Sequence, residues 1–323
     1  MSILVSVPVV TYNAAKFVEE TLESIFNQSH QNIELIVSDD YSKDNTVEIV
    51  QNWCSQIRVI ERFTDIKILT VPKNTGVSAN CNRCITASTS EWVKFIAGDD
   101  ILLPNCISDN LKLVSENPNA KIIFSQVKVF QDTFDTTNFV KNIPALYPDN
   151  IMHPSFSAKD QFKILIASDR INFTPSYFFN KQTLEKVGGY DEDNKLVEDY
   201  PMWLKLTGSG EKLYYFHTET VGYRIHSKAT NNSGETTIFK PSVLNSFLIR
   251  KKFAHPYLSW EQVGSEYQIY YVSMIFQQIG WNKKGRIRSS FYKLVAFYLN
   301  PFYYVSSLKR RMSGKKLSNV RVF

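Results

Sequence analysis

The feature that most constrains the fold is a regular exchange of two patterns. Short apolar, β-branched runs alternate with stretches whose apolar residues recur at helical spacing. Ile3-Leu4-Val5-Ser6-Val7-Pro8-Val9-Val10 is the first such run, of the kind found in a strand buried on both faces. Within residues 14–27, Phe17, Val18, Leu22, Ile25 and Phe26 then repeat with a helical period. The exchange continues with a strand over 33–38, a helix over 43–55, a strand over 66–71, a helix over 78–88 and a strand over 92–97. Pro104 opens a helix that runs to 117, and 121–130 reads as a further strand. Alternation of this kind predicts an α/β fold with a doubly wound, mostly parallel sheet and right-handed crossovers. Ligands are expected at the carboxyl ends of its strands.

Residues 131–168 are less regular and rich in Pro, Asp, Asn and Thr, so loops over the site are expected there. Order returns with a strand at 177–179, a helix near 181–187, the turn Gly188-Gly189-Tyr190 and a helix over 198–207. After Asn231 long helical segments carry Tyr, Phe and basic residues. The reading is therefore a binding domain over 1–230 and a helical extension over 231–323. The charge agrees with that division. The net charge is +6, yet no Asp or Glu follows Glu266, whereas eleven Lys and Arg lie between Lys283 and Arg321; removing those eleven leaves 1–266 at −5. Four cysteines in a chain of 323 residues do not form a disulfide framework, and nothing at the N-terminus resembles a signal peptide, which predicts a protein facing the cytoplasm. Cys81-Asn-Arg-Cys84 has redox or zinc spacing, but no second such pair matches it and a helical pattern runs through it.

Polar residues fall where each of four strands ends: Thr11-Tyr12-Asn13, Asp39-Asp40, Asn74 with Gly76, and Gly98-Asp99-Asp100. Any one of them could be a helix or turn cap. Together they converge on one rim. Neighbouring carboxylates repel, so Asp99-Asp100 points to Mg²⁺ or Mn²⁺ held by oxygen, and such a cation is commonly shared with a diphosphate.

These stretches carry a resemblance. Ser6-Val7-Pro8-Val9-Val10-Thr11-Tyr12-Asn13, Val37 to Thr46, Asn74-Thr75-Gly76 with Asn82, Gly98-Asp99-Asp100, Gly188-Gly189-Tyr190-Asp191 and Glu198 to Leu204 stand in order over residues 3–226. In this the chain resembles the large family-two group of inverting glycosyltransferases, which have the A-type nucleotide-sugar fold. The resemblance implies a donor site made of Pro8, Thr11, Tyr12, Asn13, Asp40, Asn74, Gly76, Asn82 and Asp99. Thr11 would lie against the base, Asp40 would accept from the uracil ring and Asp99 would face the ribose. Asp100 would ligate the metal. Asp199, beside Glu198, would take the proton of an acceptor hydroxyl as that oxygen attacks the anomeric carbon, which inverts configuration. In Tyr223-Arg224-Ile225-His226, either His226 would complete the metal shell or Arg224 and His226 would together neutralise diphosphate. Two positions depart from the family pattern: Ala97 replaces a first Asp, and Cys81 replaces an Arg.

A phosphate-handling nucleotidyltransferase would need a glycine-rich, basic loop after the first strand, and Thr11-Tyr12-Asn13-Ala14 is neither. A receiver domain would carry its acids on the first and third strands, whereas here the second and fourth bear them. An inactive sugar-nucleotide-binding relative stays open. In the tail, 291–299 with Pro301 and Phe302-Tyr303-Tyr304 falls short of the ~20 apolar residues of a membrane span. Flanked by basic runs, it suits a helix lying on an anionic leaflet rather than a nucleic-acid contact. A lipid-linked saccharide acceptor follows from that placement, as in bacterial surface-polysaccharide assembly.

Overall fold

The chain folds around β1 (Val5–Thr11), whose residues are buried except for a half-buried Val10. In the computed structural model the described residues are 2–146, 150–169, 171–195, 197–226, 237–240 and 242–312. From β1 the chain passes through α1 (Val18–Phe26) to β2 (Ile33–Asp39), a strand buried at every position. α2 (Thr46–Cys54) and the short α3 (Ile57–Arg62) lead to β3 (Asp65–Thr70), and α4 (Val77–Ala87) returns to β4 (Trp92–Val93), β5 (Ile96–Ala97) and β6 (Ile101–Leu102). β1 to β5 lie parallel, β4 and β5 both beside β1. Where the sequence suggests one strand over 92–97, the ladder breaks at Lys94 and Phe95. Val7 and Pro8 stand opposite the gap, and Pro8 has no N–H to give to a ladder.

The second half adds α5 (Cys106–Glu116), β7 (Ile122–Gln131), β8 (Phe139–Ile143), α6 (Ala158–Ala167), β9 (Phe178–Asn180), α7 (Lys181–Lys186), α8 (Asp199–Gly208) and β10 (Leu213–Ile225). The sheet order is β3-β2-β1-β4-β9-β7-β10-β6, with β5 on β1 and β8 on β7. β9 is antiparallel to both neighbours, whereas β10 runs parallel to β7. β8 and α6 give 131–168 more regular structure than the expected loops. The thirteen-residue β10 has no sequence-based counterpart. Its centre, His217-Thr218-Glu219, is polar, and its register shifts around Glu219, so no strand period runs through it. Four carboxyl ends (Thr11, Asp39, Ala97 and Gln131) belong to parallel strands, as the alternation requires.

Two compact units divide the described chain: residues 1–165 with 169–225, and 166–168 with 226–323. In the first, α8 is seated by Trp203, whose ring lies 4.9 Å from Phe124 and 5.5 Å from Tyr177. All four cysteines are free and buried. The second unit consists of α9 (Ser242–Phe253), α10 (Trp260–Gln278), α11 (Arg286–Lys293) with a wider helical turn at 294–298, and α12 (Pro301–Met312). Phe239, Phe276, Tyr292 and Ala296 form its core, and the Tyr292 hydroxyl pairs with Ser273 Oγ at 2.8 Å. No helix among the described residues is long and apolar enough to cross a membrane. Lys315, Lys316 and Arg321 of the basic tail, and the expected boundary at 230/231, lie outside the described residues.

Candidate active site

Asp40 is the best-held carboxylate of the rim. It follows β2, is 3% exposed, and its backbone N–H donates to Thr11 O at 3.0 Å. Its side chain accepts from Thr75 N (3.0 Å), Thr75 Oγ1 (2.6 Å), Gly76 N (2.8 Å) and Arg83 Nη2 (2.9 Å). Burial works to raise this acid, but those donors outweigh it and hold the carboxyl below its usual value. Asn74 Nδ2 donates to the Asp40 carbonyl at 3.2 Å. Gly76 has φ +90°, and a Cβ there would fall 2.8 Å from Lys195 Cβ, so glycine serves both the turn and the close approach. Asp39 works differently. It accepts from Thr11 Oγ1 (2.9 Å) and Ser42 N (2.8 Å), tying β1 to the turn after β2. The turns after β1 and β2 hold Asn13 (φ 53°) and Tyr41 (φ 71°) respectively in the left-handed region, which non-glycine residues rarely adopt. Asn13 Oδ1 accepts from Lys43 N at 2.8 Å, and Tyr12 is left 53% exposed at the strand end, while Pro8 is buried within β1.

Asp99 and Asp100 lie just past β5. Gly98 is required before them, since a Cβ would come 2.8 Å from Thr11 Cγ2. Asp100 is 2% exposed; its Oδ1 accepts from Arg224 N and its carbonyl from Thr21 Oγ1, at 2.8 and 2.7 Å. Burial, then the charge of Asp99, push the Asp100 carboxyl well above its usual value. Arg224 is itself enclosed. Its guanidinium lies between Phe17 and Phe134, 4.5 and 4.2 Å from the ring centres, and donates to Asp99 O (2.8 Å), Asp132 O (2.5 Å) and Glu20. It braces the acid pair from behind. Among the described residues no three His, Cys, Asp or Glu side chains gather as a metal shell, and His226, 8% exposed, belongs to the second unit. The donor set of Asp99 and Asp100 nevertheless fits a hard divalent cation, because two oxygen donors stand where a carboxyl is costly to ionise alone.

Glu198 and Asp199 open α8, and both are half-buried. Asp199 accepts from Tyr200 N (2.7 Å) and Thr174 Oγ1 (2.9 Å). Burial raises both acids. Glu198, which also feels the charge of Asp199, is pushed up to about 8, whereas the two donors to Asp199 work against its rise. Asn82 clips the preceding loop to α4: its Oδ1 accepts from Tyr190 N at 2.8 Å and its Nδ2 donates to Glu192 at 2.7 Å. Ser78 Oγ donates to Asn194 O at 2.7 Å. Contacts therefore run from Asp40 through Gly76 and α4 to the loop that precedes α8.

Three partners in this rim escape the sequence reading. Arg83 pairs with Asp40 at 2.9 Å. Its place one turn along from Asn80, whose Oδ1 accepts from it at 3.0 Å, was a usable signal. Thr174 and Lys94 left none, because each acts through the fold.

The sequence profile described as Glycosyl transferase family 2 matches residues 6–179. An uncharacterised glycosyltransferase of Rickettsia typhi is 24% identical over 251 residues, covering 77% of this chain and 72% of that protein. One from Haemophilus influenzae is 26% identical over 235 residues, covering 72% of each. Among solved structures, S. aureus TarS 1-349 in complex with UDP-GlcNAc matches with a TM-score of 0.58 at 17% identity, over 85% of this chain and 73% of that one. A longer S. aureus TarS chain is matched over 48% of its length.

Proposed function

The chain belongs to glycosyl transferase family 2, and from that premise we propose that it is an inverting enzyme moving a sugar from a uridine-diphosphate donor to a saccharide hydroxyl. The observation that carries the reading is the unequal pair at the start of α8. Two neighbouring carboxyls whose environments differ divide their roles. Glu198, pushed up to about 8, holds its proton the more readily, while the donors from Thr174 and Tyr200 favour the charged form of Asp199. Asp199 is then the general base: it accepts the proton of the acceptor hydroxyl as that oxygen attacks the anomeric carbon and the nucleoside diphosphate leaves from the opposite face. A single base on one face suffices for inversion.

Donor recognition falls to the other strand ends. Tyr12 is exposed beside the end of β1 and supplies an aromatic edge for a base, and the Asp40 corner fixes the backbone around it. The UDP-GlcNAc seen with a TarS structure of like fold supports a uridine donor. Asp100, with Asp99 beside it, would hold Mn²⁺ or Mg²⁺. When bound, the cation screens charge on the departing diphosphate. Arg224 keeps the acid pair in place by its contacts to Asp99 O and Asp100 Oδ1. His226 as a further ligand and a lipid-linked acceptor belong to the same proposal.

The second unit supports a place at the inner face of the cell membrane. Ile287, Phe291, Leu294 and Tyr298 recur at spacings of four, three and four, and are 85, 47, 41 and 64% exposed, with Lys283, Lys284, Arg286 and Arg288 alongside. An outward apolar stripe bordered by cations fits an anionic leaflet. Sedimentation with vesicles of anionic lipid, and not with zwitterionic ones, is the expected result; no binding to either would remove this part.

The donor assignment is tested by thermal stabilisation with uridine and guanosine diphosphate sugars, with and without Mn²⁺, and by the anomeric configuration of the product. A Mn²⁺-dependent shift from a uridine sugar and an inverted product are expected. No shift from any donor, or a retained configuration, would contradict the proposal.

A further inference from the structure

We propose that Thr174 is a positioning residue for Asp199, set in place from beneath by the buried ammonium group of Lys94. The proposal rests on Asp199 being the base and assigns how that base is aimed.

The two oxygens of Asp199 take donors from different elements. Oδ1 accepts from Tyr200 N, inside its own helix, whereas Oδ2 accepts from Thr174 Oγ1, which comes from a separate element 25 residues upstream. The first bond is local and comes with the helix. The second fixes the rotation of the carboxylate about its own axis.

Thr174 could not do this from a mobile loop, and it does not sit on one. It opens the single 3₁₀ turn Thr174–Ser176, held from two sides. On one side Ser176 Oγ accepts from Ser125 N of β7 at 3.1 Å and donates to Phe173 O at 2.8 Å. On the other, Lys94 Nζ donates to the carbonyls of Pro175 (2.6 Å), Tyr177 (3.2 Å) and Phe95 (3.0 Å). Lys94 is wholly buried and bonds through its ammonium to carbonyls alone. A buried charge held only by neutral acceptors is costly, and an apolar side chain would fill the same space more cheaply. Its position explains its presence. Lys94 sits in the break between β4 and β5, three residues before the strand end that leads to Asp99 and Asp100, and its charge also favours ionised Asp100. One side chain thus couples the strand that carries the acid pair to the turn that holds Asp199.

Among the described residues, the titratable groups facing Asp199 are Glu198 just before its helix, Cys81 on α4 and Tyr190 on the loop before α8. None of them is a cation, so removal of the Thr174 donor leaves the charged form less supported and moves titration upward in pH. The test is the pH profile of kcat/KM for Thr174→Val, Thr174→Ser and Asp199→Asn, with Tm measured for each. Thr174→Val should lower kcat about tenfold and move the acid limb up by roughly one pH unit. Thr174→Ser, which restores the hydroxyl, should return both to wild-type values, and Tm should move little in either. An acid limb unmoved in Thr174→Val, or no recovery in Thr174→Ser, overturns the positioning role. Full turnover by Asp199→Asn is a different failure, since it removes the base itself.

Discussion

The first unit holds two acidic corners, and they are built in opposite ways. Around Asp40, four donors from Thr75, Gly76 and Arg83 converge on a single carboxylate and hold it ionised. Around Glu198 and Asp199, the only donors from other residues that the structure shows among the described residues are Thr174 and Tyr200, both to Asp199, and both groups are pushed upward. A saturated carboxylate has no lone pair to spare and serves as architecture. An undersupplied one keeps capacity for a proton, which is what a general base needs. Proximity to the rim does not separate the two roles; the supply of donors does.

The contrast can be broken by substitution, and the largest effect is expected at the undersupplied corner. Asp199→Asn should lower kcat by about 10³-fold with donor binding retained, read by steady-state kinetics and donor-induced thermal shift. Asp40→Asn should do the reverse. It strands Arg83 and two backbone amides, so a stability loss of about 3 kcal/mol is expected in denaturant unfolding, outweighing any change in kcat. Because the folded carboxyl of Asp40 is held low, its contribution is present above the ordinary aspartate range and is lost as pH falls through the lower folded value. Gly76→Ala tests the same corner by strain. At φ +90° against Lys195 it should cost about 1–3 kcal/mol. The smallest effect belongs to Glu198→Gln. The folded pKa of Glu198 is raised, so its ionisation works against the fold as pH rises from 4.5 to about 8. Removing that charge should raise Tm at pH 8 by roughly 2–4 °C, for about 1 kcal/mol, and change kcat less than tenfold.

The sheet was legible because parallel strands buried on both faces are written as unbroken apolar runs. Val5 to Val9 and Ile33 to Val37 show this, and their ends marked the rim. β10 was not legible, because a strand carrying His217, Thr218 and Glu219 through a register shift has neither an apolar run nor a clean alternation. Individual acids could be picked from their place after strands. Their surroundings could not, since Thr75, Arg83 and Thr174 reach them across 35, 43 and 25 residues. Arg224 shows the same limit. Its sequence setting suggested a phosphate ligand, whereas its guanidinium is occupied by Glu20 and by the carbonyls of Asp99 and Asp132.

Direct titration of the carboxyl carbons by ¹³C NMR, with assignments from Asp40→Asn, Glu198→Gln and Asp199→Asn, tests the contrast most simply. The account predicts that Glu198 titrates near 8, Asp199 above the ordinary aspartate range and Asp40 below it. Glu198 and Asp199 titrating with exposed carboxyls, or Asp40 titrating above them, would contradict it.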